Sequence, residues 1–375
     1  MKIHAAVLEA MGAEPPYAHS QPLSWQELDL QEPGEGEVLV KIRAAGLCHS
    51  DLSVMNGTRP RPTPMALGHE AAATVEKLGP GVTDLEPGDH VVMVFVPSCG
   101  HCPACSEGRP ALCEPGNAHN KEGTLLSGVR RLSRGGEPVH HHLGVSCFAE
   151  YAVCSRWSLV KIDREVPFEH AALFGCAVLT GVGAAVNTAN VRPGQSVAVV
   201  GLGGVGLAAL LGARAAGAEQ IVAVDLLPEK LELARRLGAT DTVLAGRDET
   251  AGEVRAATRG GVHAAIETAG VVRAVELAFA ITRIGGTTVT AGLSHPDTRI
   301  SVHPVTLVAE ERTLKGSYVG SCIPVRDVDR YVRLYKAGRL PVDQLLTDTL
   351  RPDQLNSAFD KLDAGQAVRQ VLLVD

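Results

Sequence analysis

Four cysteines fall within fifteen residues: Cys99, Cys102, Cys105 and Cys113, in the segment CGHCPACSEGRPALC. Four thiolates complete a tetrahedral Zn²⁺. Gaps this short let one small lobe wrap the ion with no coordination position left for chemistry. The segment predicts a closed structural zinc cage.

A second chemical signal is SVAVVGLGGVG, an apolar run entering G-x-G-x-x-G at Gly201, Gly203 and Gly206. In this pattern the first glycine permits a tight turn and the second lets backbone approach a pyrophosphate. The third lets helix and strand pack closely. The helix that follows, VGLAALLGARAAGA, points its N-terminus, with free N–H groups and partial positive charge, at the phosphates, and Gly204 and Val205 count with the three glycines as cofactor-binding residues. The next strand, IVAVD, ends in Asp225, 24 residues past Gly201 and near the spacing of a ribose-binding carboxylate. A carboxylate there repels a 2′-phosphate, so NAD is expected over NADP. The plainer role for Asp225 is to cap the next helix.

Three further residues have the chemistry of metal ligands: Cys48 in AGLCHSD, His69 in LGHE and Cys176 in FGCAVLTG. Two thiolates and an imidazole with an open fourth position describe a catalytic zinc. The three are far apart in the chain, however. A buried Cys usually acts as a small hydrophobe, and a lone His is often a satisfied core residue. Spacing alone leaves both readings open.

These groups need elements to hold them. Residues 1–177 read as short β segments broken by Gly and Pro, among them VLVKIRAAG, AAATVEKLG and HVVMVFV, which predicts an irregular, β-rich domain. Across 178–320, apolar strands alternate with helical stretches (VGLAALLGARAAGA, PEKLELARRLGA), the pattern of a parallel sheet with crossover helices. Residues 321–375 add helix-like VDRYVRLYKAGRL and DQLNSAFDKLDAG and a closing strand RQVLLVD, expected to return to the first domain.

The 375 residues suit two domains. Aromatics are only 3% and the net charge is −7, so nucleic acid and anionic membrane are poor partners. The apolar stretch Val197–Ala218 is interrupted by glycines and Arg214, as suits a buried strand–turn–helix and not a membrane span. The N-terminus lacks the apolar run of a secretory signal. Clustered cysteines then indicate reduced thiols and a cytoplasmic setting. Cys147, Cys154 and Cys322 remain without an assigned role.

Taken together, CHSD, GHE, the four-cysteine lobe, GCAVLTG and VVGLGGVG occur in the order and approximate spacing of the zinc-dependent medium-chain alcohol dehydrogenases. The resemblance spans the whole chain, from IHAAVLEA to AVRQVLLVD, and is greatest to the longer class I and class III forms; HHHLGVSCF at His140–Phe148 matches their HHxLGxSxF. It implies a GroES-like β-rich catalytic domain joined to a doubly wound Rossmann domain, with NAD and the catalytic zinc in the cleft. Cys48, His69 and Cys176 would bind that zinc, with Glu70 behind it. Asp51 would hold the far nitrogen of His69, and Ser50 would relay the substrate proton. His49 and Arg369 would face the pyrophosphate, Lys230 the adenine ribose, and Thr180 and Val205 the nicotinamide. Phe95, Arg59, Ala118, His142 and Leu143 would line the substrate channel. A homodimer or homotetramer is expected, paired through a segment near 300–318.

The sequence also departs from the family. Ser53 stands where many relatives carry a relay histidine, and His142 where an aromatic residue is common. His140, His141 and His142 are expected to serve as pocket or packing residues, since neighbours on a strand face opposite ways. The resemblance implies reversible hydride transfer between a primary or aromatic alcohol and NAD. Oxidation of S-(hydroxymethyl)glutathione is the alternative. It is disfavoured because SVMNGTRPRPTP lacks the acidic residues that bind the glutathione adduct. Cys176 argues against a polyol dehydrogenase, which usually carries Glu there. A non-catalytic NAD-binding relic would have lost the three zinc ligands.

Overall fold

The computed structural model describes residues 1–374. The chain divides into two compact units. One holds Met1–Cys176, Ile323–Val332 and the chain from Leu346 on; the other holds Ala177–Cys322 and Arg333–Leu345. Residues 321–375 therefore do not all return to the first unit. The division falls within the helix Pro324–Lys336, and the buried Leu340, Val342 and Leu345 belong to the second unit. An amphipathic pattern says that a face is covered, not which core covers it.

The first unit carries two sheets. Lys2–Leu8, Leu23–Leu30, Leu132–Arg134, Glu137–His141 and Met65–Ala66 close into a small barrel. The other sheet runs in the order Leu159–Lys161, His90–Met93, Ala71–Leu78, Glu37–Gly46, Arg369–Leu373, Leu346–Leu350, with Tyr151–Ser155 also paired to Glu37–Gly46. Its central strand, EVLVKIRAAG, is buried along most of its length, as suits a strand covered on both faces. The HVVMVFV run is strand only over His90–Met93.

Registers in this sheet bring distant segments to one end. Ala45 pairs with Ala71, so the chain leaving the central strand through Gly46 and Leu47 passes beside His69 and Glu70. The Gly46 N–H donates to the Glu70 carbonyl at 2.9 Å. Ala71 also pairs with Met93, which sets Phe95 beyond the same end. Val371 pairs with Gly46, and the Leu47 N–H donates to the Gln370 carbonyl, so Arg369 arrives there as well.

The second unit is built on six parallel strands: β1 (Ser196–Val200), β2 (Gln220–Asp225), β3 (Asp241–Leu244), β4 (Val262–Glu267), β5 (Thr282–Thr290) and β6 (Thr313–Gly316). Their order is β3-β2-β1-β4-β5-β6, a doubly wound sheet whose strand order reverses beside β1. β1 passes through Gly201, at φ +90°, into the helix Gly204–Ala215. A Cβ on Gly206 would lie 1.9 Å from the Gly201 carbonyl oxygen, so only glycine allows this helix its seat over the turn. Helix Ala177–Gly183 packs on it through small residues; a Cβ on Gly181 would meet the Val205 carbonyl oxygen at 2.2 Å.

Gly206→Ala should therefore destabilise the second unit by about 1–3 kcal/mol. Gly203→Ala, whose Cβ would have nothing within 4 Å, should leave stability unchanged. Thermal unfolding of the two variants side by side checks this; equal midpoints would contradict it.

Candidate metal and cofactor sites

Cys48 ends the segment leaving the central strand and is the N-cap of the helix His49–Met55. Asp51 is the third residue of that helix, and its Oδ2 accepts the Cys48 N–H at 3.2 Å. This capping turn aims Oδ1 at His69, whose Nδ1 donates to it at 3.0 Å. The hydrogen bond fixes the imidazole tautomer and leaves Nε2 for a ligand. His69 Nε2 is buried and has no hydrogen-bond partner. The ligand atoms of Cys48, His69 and Cys176 all lie within 4.8 Å of one another, and all three residues are buried.

The electrostatics suit a cation. The two thiols share a proton: a hydrogen bond from Cys176 holds Cys48 well below the usual thiol range, while the same contact and burial push Cys176 well above it. Burial alone would lower His69, but Asp51 and Cys48 outweigh it and raise it well above the ordinary imidazole value. Burial would raise Asp51, yet the His69 imidazole outweighs that and holds it low. An imidazole nitrogen with nothing to bond, beside two sulfurs that share one proton, fits Zn²⁺. Loading the site releases protons from Cys176 and His69.

Glu70 and Arg369 stand in the same buried region. Arg369 Nη1 reaches Glu70 Oε1 and the Leu47 carbonyl, both at 2.9 Å, while its Nε has no hydrogen-bond partner. In this structure Arg369 thus engages Glu70. A Cβ on Gly46 would sit 2.8 Å from Glu70 Oε1, and one on Gly175 would sit 2.4 Å from the Met93 carbonyl oxygen. Sequence reasoning passed over both glycines, and only the sheet register shows why they are needed.

Around this cluster, Ser50 Oγ lies 3.8 Å from Cys48 Sγ. Ser53 Oγ donates back to the His49 carbonyl at 2.7 Å, so its hydroxyl is tied to its own helix. Phe95 meets the His69 ring edge-on at 5.2 Å between centroids. Leu143 is buried with φ +52° and Arg59 is half-buried, while Ala118 is exposed on the helix Glu114–Glu122. The histidine run divides. His140 accepts from Arg130 Nε and His141 from the Arg131 N–H, each at 3.0 Å, while His142 faces Asp51. Its Nδ1 lies 3.2 Å from Asp51 Oδ1, and Asp51, His69 and His142 form a buried cluster of their own.

The cysteine lobe assembles as its spacing predicts, with all four sulfurs within 4.8 Å of one another. Backbone N–H groups point at them: Cys99 and Gly116 donate to Cys113 Sγ, and Cys102 donates to Cys99 Sγ. Backbone donors from Cys105 and Glu114 lower Cys102 to about 6, whereas burial pushes Cys105 up to about 12. Donors aimed at sulfur stabilise thiolates, the form that holds a metal.

In the second unit, Asp225 ends β2 and accepts the Leu202 N–H at 2.6 Å and the Leu227 N–H at 3.0 Å. It therefore anchors the glycine turn and the residue before the helix Pro228–Leu237; the N-cap itself is Leu227, not Asp225. Lys230 is half-buried on that helix, Thr180 is buried on Ala177–Gly183, and His49 is exposed. Gly203 has φ −73°, which any residue adopts, and a Cβ there would meet nothing within 4 Å. Neither backbone nor packing requires glycine at 203, which leaves a ligand's approach as the reason.

The alcohol dehydrogenase GroES-like domain family matches residues 34–164, and the zinc-binding dehydrogenase family matches residues 204–337. The chain is 41% identical to the putative alcohol dehydrogenase D of Mycobacterium tuberculosis, over 100% of each chain. It is 38% identical to an S-(hydroxymethyl)glutathione dehydrogenase of Escherichia coli, over 99% of this chain and 100% of that one. Its fold superposes on the crystal structure of benzyl alcohol dehydrogenase from Acinetobacter calcoaceticus with a TM-score of 0.93, at 33% identity and 100% coverage of both. With a GroES-like unit, a doubly wound unit and both thiolate sites in place, the chain belongs to the zinc-dependent medium-chain alcohol dehydrogenases, oxidoreductases that act on alcohols.

Proposed function

We propose that this protein oxidises primary or aromatic alcohols with NAD, and reduces the matching aldehydes, at Cys48, His69 and Cys176. The carrying observation is the buried cluster of two sulfurs and one unpartnered imidazole nitrogen. Zinc held there acts as a Lewis acid that makes an alcohol hydroxyl acidic enough to lose its proton near neutral pH, and polarises an aldehyde carbonyl. Nicotinamide supplies the hydride acceptor. Asp51 keeps His69 in the tautomer that presents Nε2. Arg369 pairs with the buried Glu70 carboxylate. Ser50 passes on the substrate proton. With Ser53 turned back on its helix, the onward route runs through His49, exposed at the start of the same helix, or through water.

On this reading Gly201, Gly203, Gly204, Val205 and Gly206 cradle the pyrophosphate, with His49 and Arg369 beside it. Asp225 and Lys230 hold the adenine ribose, and Thr180 and Val205 face the nicotinamide. Phe95, Arg59, Ala118, His142 and Leu143 form the substrate channel. The benzyl alcohol dehydrogenase relative favours an aromatic substrate, and the glutathione-dependent relative favours the alternative. The lack of acids in SVMNGTRPRPTP weighs toward the former. All nine cysteines are free thiols, which accords with a reducing, cytoplasmic setting. Ile300, Val305, Leu307 and Val308 are exposed apolar residues near the edge strand β6, the features expected of a face that pairs subunits as a homodimer or homotetramer.

Four outcomes are expected. Reconstituted protein should carry two zinc ions per chain and reduce NAD with benzylic or aliphatic alcohols more efficiently than with the glutathione adduct of formaldehyde. Cys48→Ser should retain one zinc and lose activity by more than the ~100-fold that an outer-shell change costs. Full activity in that variant would remove the assignment. Asp225→Ser should cut the preference for NAD over NADP by about tenfold or more, roughly 1.4 kcal/mol. The ratio is the diagnostic quantity, because a loosened glycine turn weakens both cofactors alike. Light scattering should read a dimeric or tetrameric mass; a monomer would refute the pairing face.

A further inference from the structure

The mechanism above uses Asp51 only as the partner of His69, but a second imidazole reaches the same oxygen. His142 Nδ1 lies 3.2 Å from Asp51 Oδ1, the atom that accepts from His69 at 3.0 Å; it is out of hydrogen-bond alignment with that oxygen and has no other hydrogen-bond partner. The two rings meet edge-on, with centroids 5.6 Å apart. All three side chains are at most 1% exposed, so no solvent competes for the carboxylate.

The backbone holds His142 there. The strand Glu137–His141 ends one residue earlier, and the chain turns with Leu143 at φ +52° and Ser146 at φ +48°. The Val145 and Ser146 N–H groups both donate to the His142 carbonyl. The His142 N–H donates to Ser146 Oγ, and Ser146 Oγ donates to the Ala66 carbonyl, each at 2.8 Å. A positive-φ turn closed by four hydrogen bonds fixes the ring on the carboxylate.

We propose that His142 is a positioning residue that tunes the catalytic metal by drawing on the oxygen that polarises His69. Asp51 Oδ2 is already committed to the Cys48 N–H. The positive edge of the His142 ring therefore falls on the one oxygen left for His69. A carboxylate oxygen that also feels the electrostatic pull of a second imidazole edge is a weaker acceptor for His69. His69 Nδ1–H is then less polarised, Nε2 is a poorer electron donor, and a metal at Cys48, His69 and Cys176 keeps more of its charge for the substrate oxygen. Tighter metal binding is given up for a stronger Lewis acid. The inference rests on the zinc-site reading, and its test separates the two.

The experiment uses zinc-reconstituted full-length protein and follows release of the more labile zinc to an excess of chromogenic chelator. His142→Phe keeps a planar ring and removes the nitrogen. It should release that zinc about tenfold more slowly than wild type. His142→Asn places an amide nitrogen near the position of Nδ1 and should release it at the wild-type rate. Release from His142→Phe at the wild-type rate overturns the proposal. Faster release also overturns it, since His142 would then be propping Asp51 and not competing for it. The two variants behaving alike would likewise exclude a role for the nitrogen. A wild-type protein that carries only the cage zinc would instead remove the catalytic site, and with it the reading on which this one stands.

Discussion

Asp51 is a carboxylate sealed from solvent, and such a charge persists in a protein interior only where donors surround it. Its two oxygens collect the Cys48 N–H, the His69 imidazole and the edge of His142. These groups come from three separate stretches: a short helix after the central strand, the loop before the next strand, and a turn beyond the barrel. Neither the Cys48 N–H nor His69 can be displaced without leaving the carboxylate short of a partner. The requirement of one buried charge thus aligns the two ligands Cys48 and His69 before any metal arrives.

A second buried ion pair stands beside the first. Glu70 and Arg369 are 2.9 Å apart and almost wholly buried. Such a pair adds little net stability, but removing one partner costs about 3–5 kcal/mol because the other charge is stranded. The pair explains why the chain must come back. Arg369 opens the strand that follows a whole second unit in sequence, and that strand is seated directly against Glu37–Gly46. Gly46 and Gly175 have no side chains because the carboxylate and the Met93 carbonyl fill the space that they would need. The pair thus ties the end of the chain to the loop that carries His69.

The parts legible in the sequence are those whose residues are contiguous. The cage needs one lobe, and the glycine turn needs one strand, one turn and one helix, so spacing carries the geometry. The cluster of Cys48, His69 and Cys176 depends on sheet register, which no local pattern encodes; only the order of motifs across the chain, read as a resemblance, singled it out. The contact of His142 escaped for a definite reason. Alternation of faces holds for His140 and His141, which lie on a strand, and ends at His141; His142 belongs to a left-handed turn that sends it elsewhere. The one sign available was its polarity at a position where relatives carry an aromatic ring. Likewise, the pattern of Pro324–Lys336 reveals an apolar face but not that two units divide it.

The three glycines of the turn show how structural need and ligand need can be told apart. Gly201 adopts a conformation that side chains resist, and Gly206 sits where a Cβ would collide with the Gly201 carbonyl. Both would be glycine in a protein that bound nothing. Gly203 has an ordinary φ and open space where its side chain would be. It is the N-cap of the helix, a position that accepts glycine readily, and no strained angle or close contact demands it there. What glycine adds there is bare backbone at the head of a helix, open to a phosphate group closing on it.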